Sequence, residues 1–185
     1  AYQLNLWAIE EACEAILRCE QRDADINSLI LWVSVKSIAK KNFVSQVIKI
    51  VDKYKVPHDK FCFTINESIL EAVKEQVSEN IKALREEGFK ITIDDFGVEY
   101  TSLTHLTHYD VDYIGIHSGL LDGILTSEKV QNTVQGLIDF CKKIEVQTIV
   151  DGIESKEVFD LLKKMGADRF RGPYFREFVK EKQIS

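Results

Sequence analysis

The chain has 185 residues and a formal net charge of −6, which suits one soluble domain rather than a basic nucleic-acid-binding surface. Hydrophobic residues make up 45% and charged residues 29% of the sequence, as in ordinary globular proteins. No apolar run approaches the roughly 20 residues that a membrane-spanning helix needs, and the acid-containing N-terminal segment does not resemble a signal peptide. We therefore expect no nucleic-acid polymer as partner and no membrane contact.

The apolar pattern predicts helices that alternate with strands. Predicted helices cover about residues 2–19, 43–51, 69–84, 102–107, 127–144 and 156–165, with another around Val179. Predicted strands cover residues 29–35, 60–66, 91–95, 111–116, 148–151 and 167–170. Helices between most of the strands indicate a parallel α/β sheet. A closed (β/α)₈ barrel needs eight strands, so either two more strands lie upstream in a longer protein or the sheet is open.

The cysteines form no metal-binding pattern. Cys13, Cys19, Cys62 and Cys141 contain no Cys-x-x-Cys pair, and no histidine lies at zinc-finger spacing from them. Buried thiols in a reducing environment are the expected arrangement, which predicts a cytoplasmic location.

Two adjacent carboxylates, Asp94 and Asp95, end the predicted strand at residues 91–95. Neighbouring strand residues point to opposite faces, but a bend at Asp95 could still bring both carboxylates to one rim. Paired acids at the end of a parallel strand suit a hard cation such as Mg²⁺. The alternative is a simple turn, because Asp and Gly are common turn residues.

Six segments near predicted strand ends resemble motifs of one protein family, in the family's order. The segments are Val33-Ser34-Val35-Lys36, Thr64-Ile65-Asn66-Glu67-Ser68, residues 94–103, Val111-Asp112-Tyr113-Ile114-Gly115-Ile116-His117, Val150-Asp151-Gly152-Ile153-Glu154-Ser155 and Arg171-Gly172-Pro173-Tyr174-Phe175. The family's motifs are Val-Asn-Val-Ser, Glu-x-Thr-Glu-Ser, Asp-Asp-Phe-Gly-Thr-Gly-Tyr-Ser-Ser-Leu, Val-Asp-x-Leu-Lys-Ile-Asp, Ala-Glu-Gly-Val-Glu-Thr and Gln-Gly-Tyr-Tyr-Phe. The chain thus resembles the EAL domains, bacterial phosphodiesterases of cyclic di-GMP.

The resemblance implies a TIM-like (β/α) barrel of the EAL type, with six of its eight strands in this chain. Two strands would precede the first helix, in the part of the family's domain that carries the Glu-Ala-Leu tripeptide. That tripeptide does not occur in this sequence. The resemblance therefore implies one domain over residues 1–185 that is incomplete at its N-terminus.

The resemblance also implies a degenerate two-metal site, since family carboxylates hold Mg²⁺ or Mn²⁺ while a water attacks phosphorus. Asp94 and Asp95 match the paired aspartates, and Asp151 replaces a glutamate. The other matched positions have lost their family side chains. Ser34 stands for an asparagine ligand, Thr64 for a glutamate, Gly115 for the lysine that assists the water, His117 for an aspartate and Arg171 for a glutamine.

These replacements predict that the domain does not hydrolyse cyclic di-GMP. Two divalent metals need several converging anions, and few remain. Arg171 is expected to pair with Asp94, Asp95 or Asp151 and to sit where a cation would bind. No cofactor is expected, and Mg or Mn would bind only if residual activity existed.

Glu67 and Glu154 match family glutamates that support the loop after the paired aspartates and the surroundings of the site. Alternatively, they stabilise helix starts, because both lie at strand-to-helix junctions where a carboxylate favours the helix dipole. The two interpretations are compatible.

The sequence thus predicts a non-catalytic regulatory or protein-interaction module of a bacterial signalling protein. Its partner would be another protein or a neighbouring signalling domain, and a homodimer is compatible with the sequence. One alternative is a receptor that binds cyclic di-GMP without cleaving it, with Arg171 on a phosphate. The other is an active Mg-dependent phosphodiesterase that uses Asp94, Asp95 and Asp151 with upstream ligands.

Overall fold

Helices and strands alternate through residues 2–24, 26–66, 74–96 and 109–175, the parts of the chain that this computed structural model describes. The helices are α1 (Tyr2–Glu20), α2 (Val35–Ile38), α3 (Phe43–Tyr54), α4 (Lys74–Glu86), α5 (Glu128–Lys143) and α6 (Lys156–Met165). The strands are β1 (Leu29–Trp32), β2 (Phe61–Asn66), β3 (Lys90–Phe96), β4 (Tyr113–Ile116), β5 (Gln147–Val150) and β6 (Arg169–Phe170). Two 3₁₀ turns cover His58–Lys60 and Ser118–Leu121.

The six strands form one sheet whose spatial order equals the chain order, β1 to β6. Every neighbouring pair is parallel. Sequential parallel strands form a half-barrel, with helices in the other four connections between strands and the link from β3 to β4 mostly outside the described residues. The predicted α/β architecture of TIM-like type is thus confirmed.

The two faces of the sheet carry different side chains because successive strand residues point to opposite sides. Phe63 and Ile93 belong to the large core that the sheet shares with the helices. Cys62 packs with Tyr113 in a separate small cluster on the other side. We call that second side the inner face, and Thr64, two residues after Cys62, lies on it.

The end of β1 differs from the prediction of a strand through residue 35. The strand stops at Trp32, and α2 begins at Val35 with Ser34 as its N-cap residue. The Ser34 carbonyl accepts hydrogen bonds from the N–H groups of Ser37 and Ile38 at 2.8 and 3.1 Å. A buried four-residue helix continues the apolar run of the strand, which is why periodicity did not separate the two.

The structure also bears on the predictions about the cysteines and about membrane-spanning helices. All four cysteines are free and buried, as predicted. Among the helices described here, none has the length and apolar character required to cross a membrane. The predicted helices at 102–107 and around Val179, and the predicted start of α4 at Ile69, lie outside the described residues.

Candidate functional site

The carboxyl ends of the central and last strands bring four predicted site residues to one rim of the sheet. Asp94 lies near the end of β3 and Gly115 lies in β4, while Asp151 and Arg171 directly follow β5 and β6. Parallel strands all end on the same side, so residues far apart in the sequence meet there. This rim is where α/β barrels carry their chemistry.

A β-bulge lies at the paired aspartates. Ile93 pairs with Ile114 and Phe96 with Ile116, so three steps on β3 match two on β4. Asp95 adopts the left-handed conformation with φ +63°, and its N–H donates to Asp94 Oδ1 at 3.1 Å. A bulge sets two residues opposite one, so both aspartates face the single position of Gly115. The backbone therefore departs from regular strand geometry at Asp95.

Arg171 forms an ion pair with Asp94 across the inner face. Its Nη2 donates to Asp94 Oδ2 at 2.9 Å and to Oδ1 at 3.1 Å. The Asp94 side chain is only 3% exposed, and that of Arg171 is 27% exposed. A buried carboxylate needs such a partner, because an unpaired charge in the interior is costly.

Asp151 is the second carboxylate in contact with Arg171. Its Oδ2 lies 3.4 Å from Arg171 Nη2, and its Oδ1 accepts the Gly152 N–H at 2.9 Å. The Arg171 backbone extends the pairing past β6, since its N–H donates to the Val150 carbonyl and its own carbonyl accepts from Ile153. The backbone of Arg171 is therefore anchored to the end of β5, beside Asp151.

Gly115 is the position where the family resemblance places the assisting lysine, and Asp94 fills the space beside it. A Cβ built on Gly115 would overlap Asp94 Oδ1 and lie 2.7 Å from Asp94 Cγ. Real Cβ atoms do not approach other atoms so closely. With Asp94 turned toward Arg171, no side chain fits at residue 115.

Thr64 is completely buried on the inner face, and its hydroxyl has no hydrogen-bond partner among the described residues. Arg171 Nε is likewise buried without a partner among them. The expected loss of a charged ligand at residue 64 thus leaves a neutral, unpaired oxygen. Buried polar atoms without partners are uncommon in folded proteins.

His117 serves the local backbone. Its Nδ1 accepts the Gly119 N–H at 3.0 Å and so caps the 3₁₀ turn at Ser118–Leu121. A side chain that accepts from the first turn plays the role that Asp or Asn plays at many helix starts. No hydrogen bond or ion pair joins His117 to Asp94 or Arg171 within the described residues.

Ser34 belongs to a polar cluster with Asn5 and Ser37. The Ser34 hydroxyl donates to Asn5 Oδ1 at 3.1 Å and lies 2.8 Å from the Ser37 hydroxyl. Ser37 also donates to Asn5 Oδ1, at 2.7 Å. Because these atoms hold the end of β1 to α1, the Ser34 hydroxyl is engaged in structure.

Of the two matched glutamates, Glu154 is exposed and precedes the N-cap of α6. The N-cap residue is Ser155, whose hydroxyl accepts the Val158 N–H at 3.3 Å. Glu67 lies outside the described residues.

The donor set does not fit a two-metal centre. Among residues 2–24, 26–66, 74–96 and 109–175, no group of three or more His, Cys, Asp and Glu side chains could hold a metal ion. Asp94 and Asp151 converge, but a guanidinium nitrogen already lies between them. The arrangement pairs two anions with one internal cation.

Sequence reasoning missed two contributors to this region. Arg169 places its guanidinium 4.5 Å from the centroid of the Tyr113 ring on the inner face. Its spacing of two residues from Arg171 was a usable signal, because residues i and i+2 share a strand face. Asn5, which organises Ser34, left no comparable signal because it lies on a helix far upstream.

Comparisons with known proteins agree along nearly the whole chain. The model of the EAL domain matches residues 1–177. Signaling protein YkoW of Bacillus subtilis is 24% identical over 98% of this chain, which corresponds to 22% of its own length. Cyclic di-GMP phosphodiesterase PdeB of Shewanella oneidensis is 25% identical over 76% of this chain and 16% of its own. The chain thus spans about a fifth or less of these relatives.

Solved structures match the fold closely. The EAL domain of Mycobacterium smegmatis DcpA has a TM-score of 0.90 at 22% identity, covering 98% of this chain and 82% of that one. The EAL enzyme Bd1971, bound to cAMP and cyclic di-GMP, has a TM-score of 0.88 at 22% identity, covering 98% of this chain and 50% of that one. At this level of identity the likeness establishes the architecture.

Proposed function

The chain belongs to the EAL domain family, and from that membership we propose that it is a non-hydrolysing EAL domain that acts as a regulatory or protein-interaction module in bacterial cyclic di-GMP signalling. Its partner is another protein or a neighbouring signalling domain, in the cytoplasm. It needs no metal cofactor. The observation that carries the proposal is the ion pair between Arg171 and Asp94.

That ion pair opposes metal-dependent hydrolysis on grounds of charge. Arg171 Nη2 lies within 3.4 Å of oxygens from both Asp94 and Asp151. A divalent cation at the same oxygens would meet a permanent positive charge, because arginine stays protonated in proteins. Mg²⁺ also demands near-ideal oxygen geometry and gives up water reluctantly, so it competes poorly for such a position.

The positions of Gly115 and Thr64 support the same proposal. No side chain at residue 115 can assist a hydrolytic water, and the space is filled by Asp94. The hydroxyl of Thr64 is neutral, so it cannot replace the charge that a carboxylate would bring to a metal. Relative to the family's motifs, the chain therefore lacks a charged ligand at residue 64 and a side chain at residue 115 that could transfer a proton.

An exposed apolar edge of the sheet is where the two further strands implied by the family resemblance would pair. β1 is the first strand of the sheet, and within the described part of the chain it pairs on one side only, with β2. Its Ile30 is 38% exposed and its Trp32 is 55% exposed, while Trp7 on the adjacent α1 is 57% exposed. An uncharged, apolar strand edge favours pairing with further chain. Two further parallel strands of the same barrel, as the family resemblance implies, would cover this edge.

A receptor that binds cyclic di-GMP without cleaving it is the second candidate. It is favoured by the structural match to Bd1971 in a cyclic-di-GMP-bound form. A nucleotide phosphate would need a free arginine, however, and Arg171 is committed to Asp94. An active phosphodiesterase that combines Asp94, Asp95 and Asp151 with upstream ligands is the third and least supported candidate, and it alone would need Mg or Mn.

One experiment separates the three functions. Purified protein is titrated calorimetrically with cyclic di-GMP, with Mg²⁺, with Mn²⁺ and with EDTA, and the nucleotide is then examined by mass spectrometry. The proposed module neither binds millimolar nucleotide nor forms linear pGpG. Binding without turnover identifies the receptor. Metal-dependent formation of pGpG refutes the proposal.

A further inference from the structure

We infer that Arg171 is a built-in replacement for the divalent cation of this site, and that neutralising it uncovers divalent-cation binding at Asp94 and Asp151. The inference rests on the proposed non-hydrolysing function and supplies the physical reason for it. Arg171 both stabilises the buried Asp94 carboxylate and excludes metal.

The contacts of a single nitrogen carry the inference. Arg171 Nη2 lies 2.9 and 3.1 Å from the two oxygens of Asp94 and 3.4 Å from Asp151 Oδ2. One positively charged centre thus contacts carboxylates from two strand ends, as a bridging cation does. The shortest distance, 2.9 Å, is that of a charge-assisted hydrogen bond, and all three exceed the roughly 2.0–2.1 Å of Mg²⁺–oxygen bonds.

Burial makes a cation necessary at this place. Asp94 is 2% exposed, and a carboxylate in that setting needs a compensating charge. Either a metal or a guanidinium meets the need, but both together would set three positive charges against two carboxylates. Arg171 therefore stabilises Asp94 and repels a second cation.

Thr64 adds a buried oxygen to the inner face of the sheet. The buried Thr64 hydroxyl has no partner among the described residues and lies on the inner face, in the strand beside Asp94. Oxygen atoms are the ligands that hard divalent cations prefer. Asp94 and Asp151, which converge on Arg171 Nη2, are therefore the oxygen ligands of the uncovered site, with water completing the coordination.

The experiment measures Mn²⁺ binding from the signal of free Mn²⁺ in electron paramagnetic resonance. Arg171→Gln removes the charge with a side chain that still donates hydrogen bonds, and Arg171→Lys keeps the charge as the matched control. We expect Arg171→Gln to bind Mn²⁺ at least about tenfold more tightly than wild type, since a like charge within a few ångströms is removed. Arg171→Lys should still bind Mn²⁺ weakly. The double variant Arg171→Gln/Asp94→Asn should lose the gain in Mn²⁺ affinity.

The opposite results overturn the inference. Wild-type binding of Mn²⁺ as tight as that of Arg171→Gln means that the arginine excludes nothing, and an unchanged affinity in Arg171→Gln means that no site is uncovered. If Arg171→Gln unfolds, circular dichroism with added Mn²⁺ decides: refolding supports the inference and failure to refold refutes it. Turnover of cyclic di-GMP by the wild type would instead refute the proposed function, so the two failures are distinguishable.

Discussion

Asp94 occupies the space that any side chain at Gly115 would require. A Cβ at residue 115 would lie 2.7 Å from Asp94 Cγ and 3.2 Å from its Cα, and it would overlap Oδ1. Arg171 holds the Asp94 carboxylate in this position through two hydrogen bonds. The arginine at 171 and the glycine at 115 are therefore coupled through Asp94, although Gly115 lies in β4 and Arg171 follows β6.

The coupling predicts that Gly115→Ala destabilises the protein. The added methyl group must displace Asp94 from Arg171 or shift the strand, and overpacking of this kind costs about 1–3 kcal/mol of the free energy of unfolding. Urea denaturation measures the loss. In an Arg171→Gln background Asp94 is free to turn, so the further cost of Gly115→Ala should be smaller.

Gly136 provides the matched control for that prediction. It lies in α5, and a Cβ built there meets nothing within 4 Å. Gly136→Ala should stabilise the helix by about 0.5–1 kcal/mol. Equal costs of Gly115→Ala in the wild-type and Arg171→Gln backgrounds would show that Asp94 does not obstruct the added methyl group.

The buried hydroxyl of Thr64 predicts a stabilising substitution. Thr64→Val removes a buried hydroxyl that has no partner among the described residues, and it keeps a β-branched side chain of similar shape. We expect the free energy of unfolding to rise by roughly 1 kcal/mol, because an unpaired polar group no longer has to be buried. Thermal denaturation should show a correspondingly higher midpoint.

Thr148 is the matched control, since it is also completely buried in a strand. Its hydroxyl donates to Asp168 Oδ2 at 2.9 Å and accepts the Asp168 N–H at 3.1 Å. Thr148→Val should therefore lower the stability by roughly 1–3 kcal/mol. A loss of stability in Thr64→Val as large as that in Thr148→Val would mean that the Thr64 hydroxyl has a partner.

The sequence predicted the components of the rim better than their contacts. Alternating strand faces and parallel strand ends place Asp94, Asp151 and Arg171 together whatever their rotamers, so their meeting follows from topology. The rotamer of Asp94, which closes the space at Gly115, depends on which charge is nearest. The hydrophobic periodicity of the sequence does not predict which side-chain conformation is adopted.

The end of β1 marks a second limit of sequence reasoning. Val33, Val35 and Ile38 are all buried, so the run continues to look like a buried strand after the strand has ended. The bond that decides the change of direction comes from Asn5, whose Oδ1 accepts the Ser34 N–H at 3.3 Å. Local sequence patterns do not predict a contact between residues that lie 29 positions apart.

Asp112 at the opposite end of the sheet yields a prediction about fold stability. Its Oδ2 accepts the Ile91 N–H at 2.9 Å and Arg85 Nε at 3.2 Å, so it joins β3, α4 and the start of β4. Asp112→Ala leaves those donors unpaired and should cost about 1–3 kcal/mol in urea denaturation. Asp112→Asn keeps one acceptor and should cost less.

Asp160 is the control for Asp112, because it pairs with Lys156 on an exposed face of α6. Asp160→Ala should change the stability by less than about 0.5 kcal/mol, as is usual for surface ion pairs. Equal effects at the two positions would mean that the Asp112 network adds no more than surface charge.

Two buried thiols predict a loss of stability at alkaline pH. Burial raises the pKa of the Cys13 and Cys141 thiols from the ordinary value of 9.0 to about 11. Between pH 9 and 11 the unfolded chain releases protons that the folded chain retains, so the free energy of unfolding falls as pH rises through this window. Below pH 9 both states are protonated, and these thiols contribute no slope. Urea denaturation at successive pH values should therefore show a decline above pH 9 that is shallower in Cys13→Ala/Cys141→Ala. An identical decline in that double variant would assign the alkaline transition to other groups, such as Tyr54, whose pKa is raised to about 12.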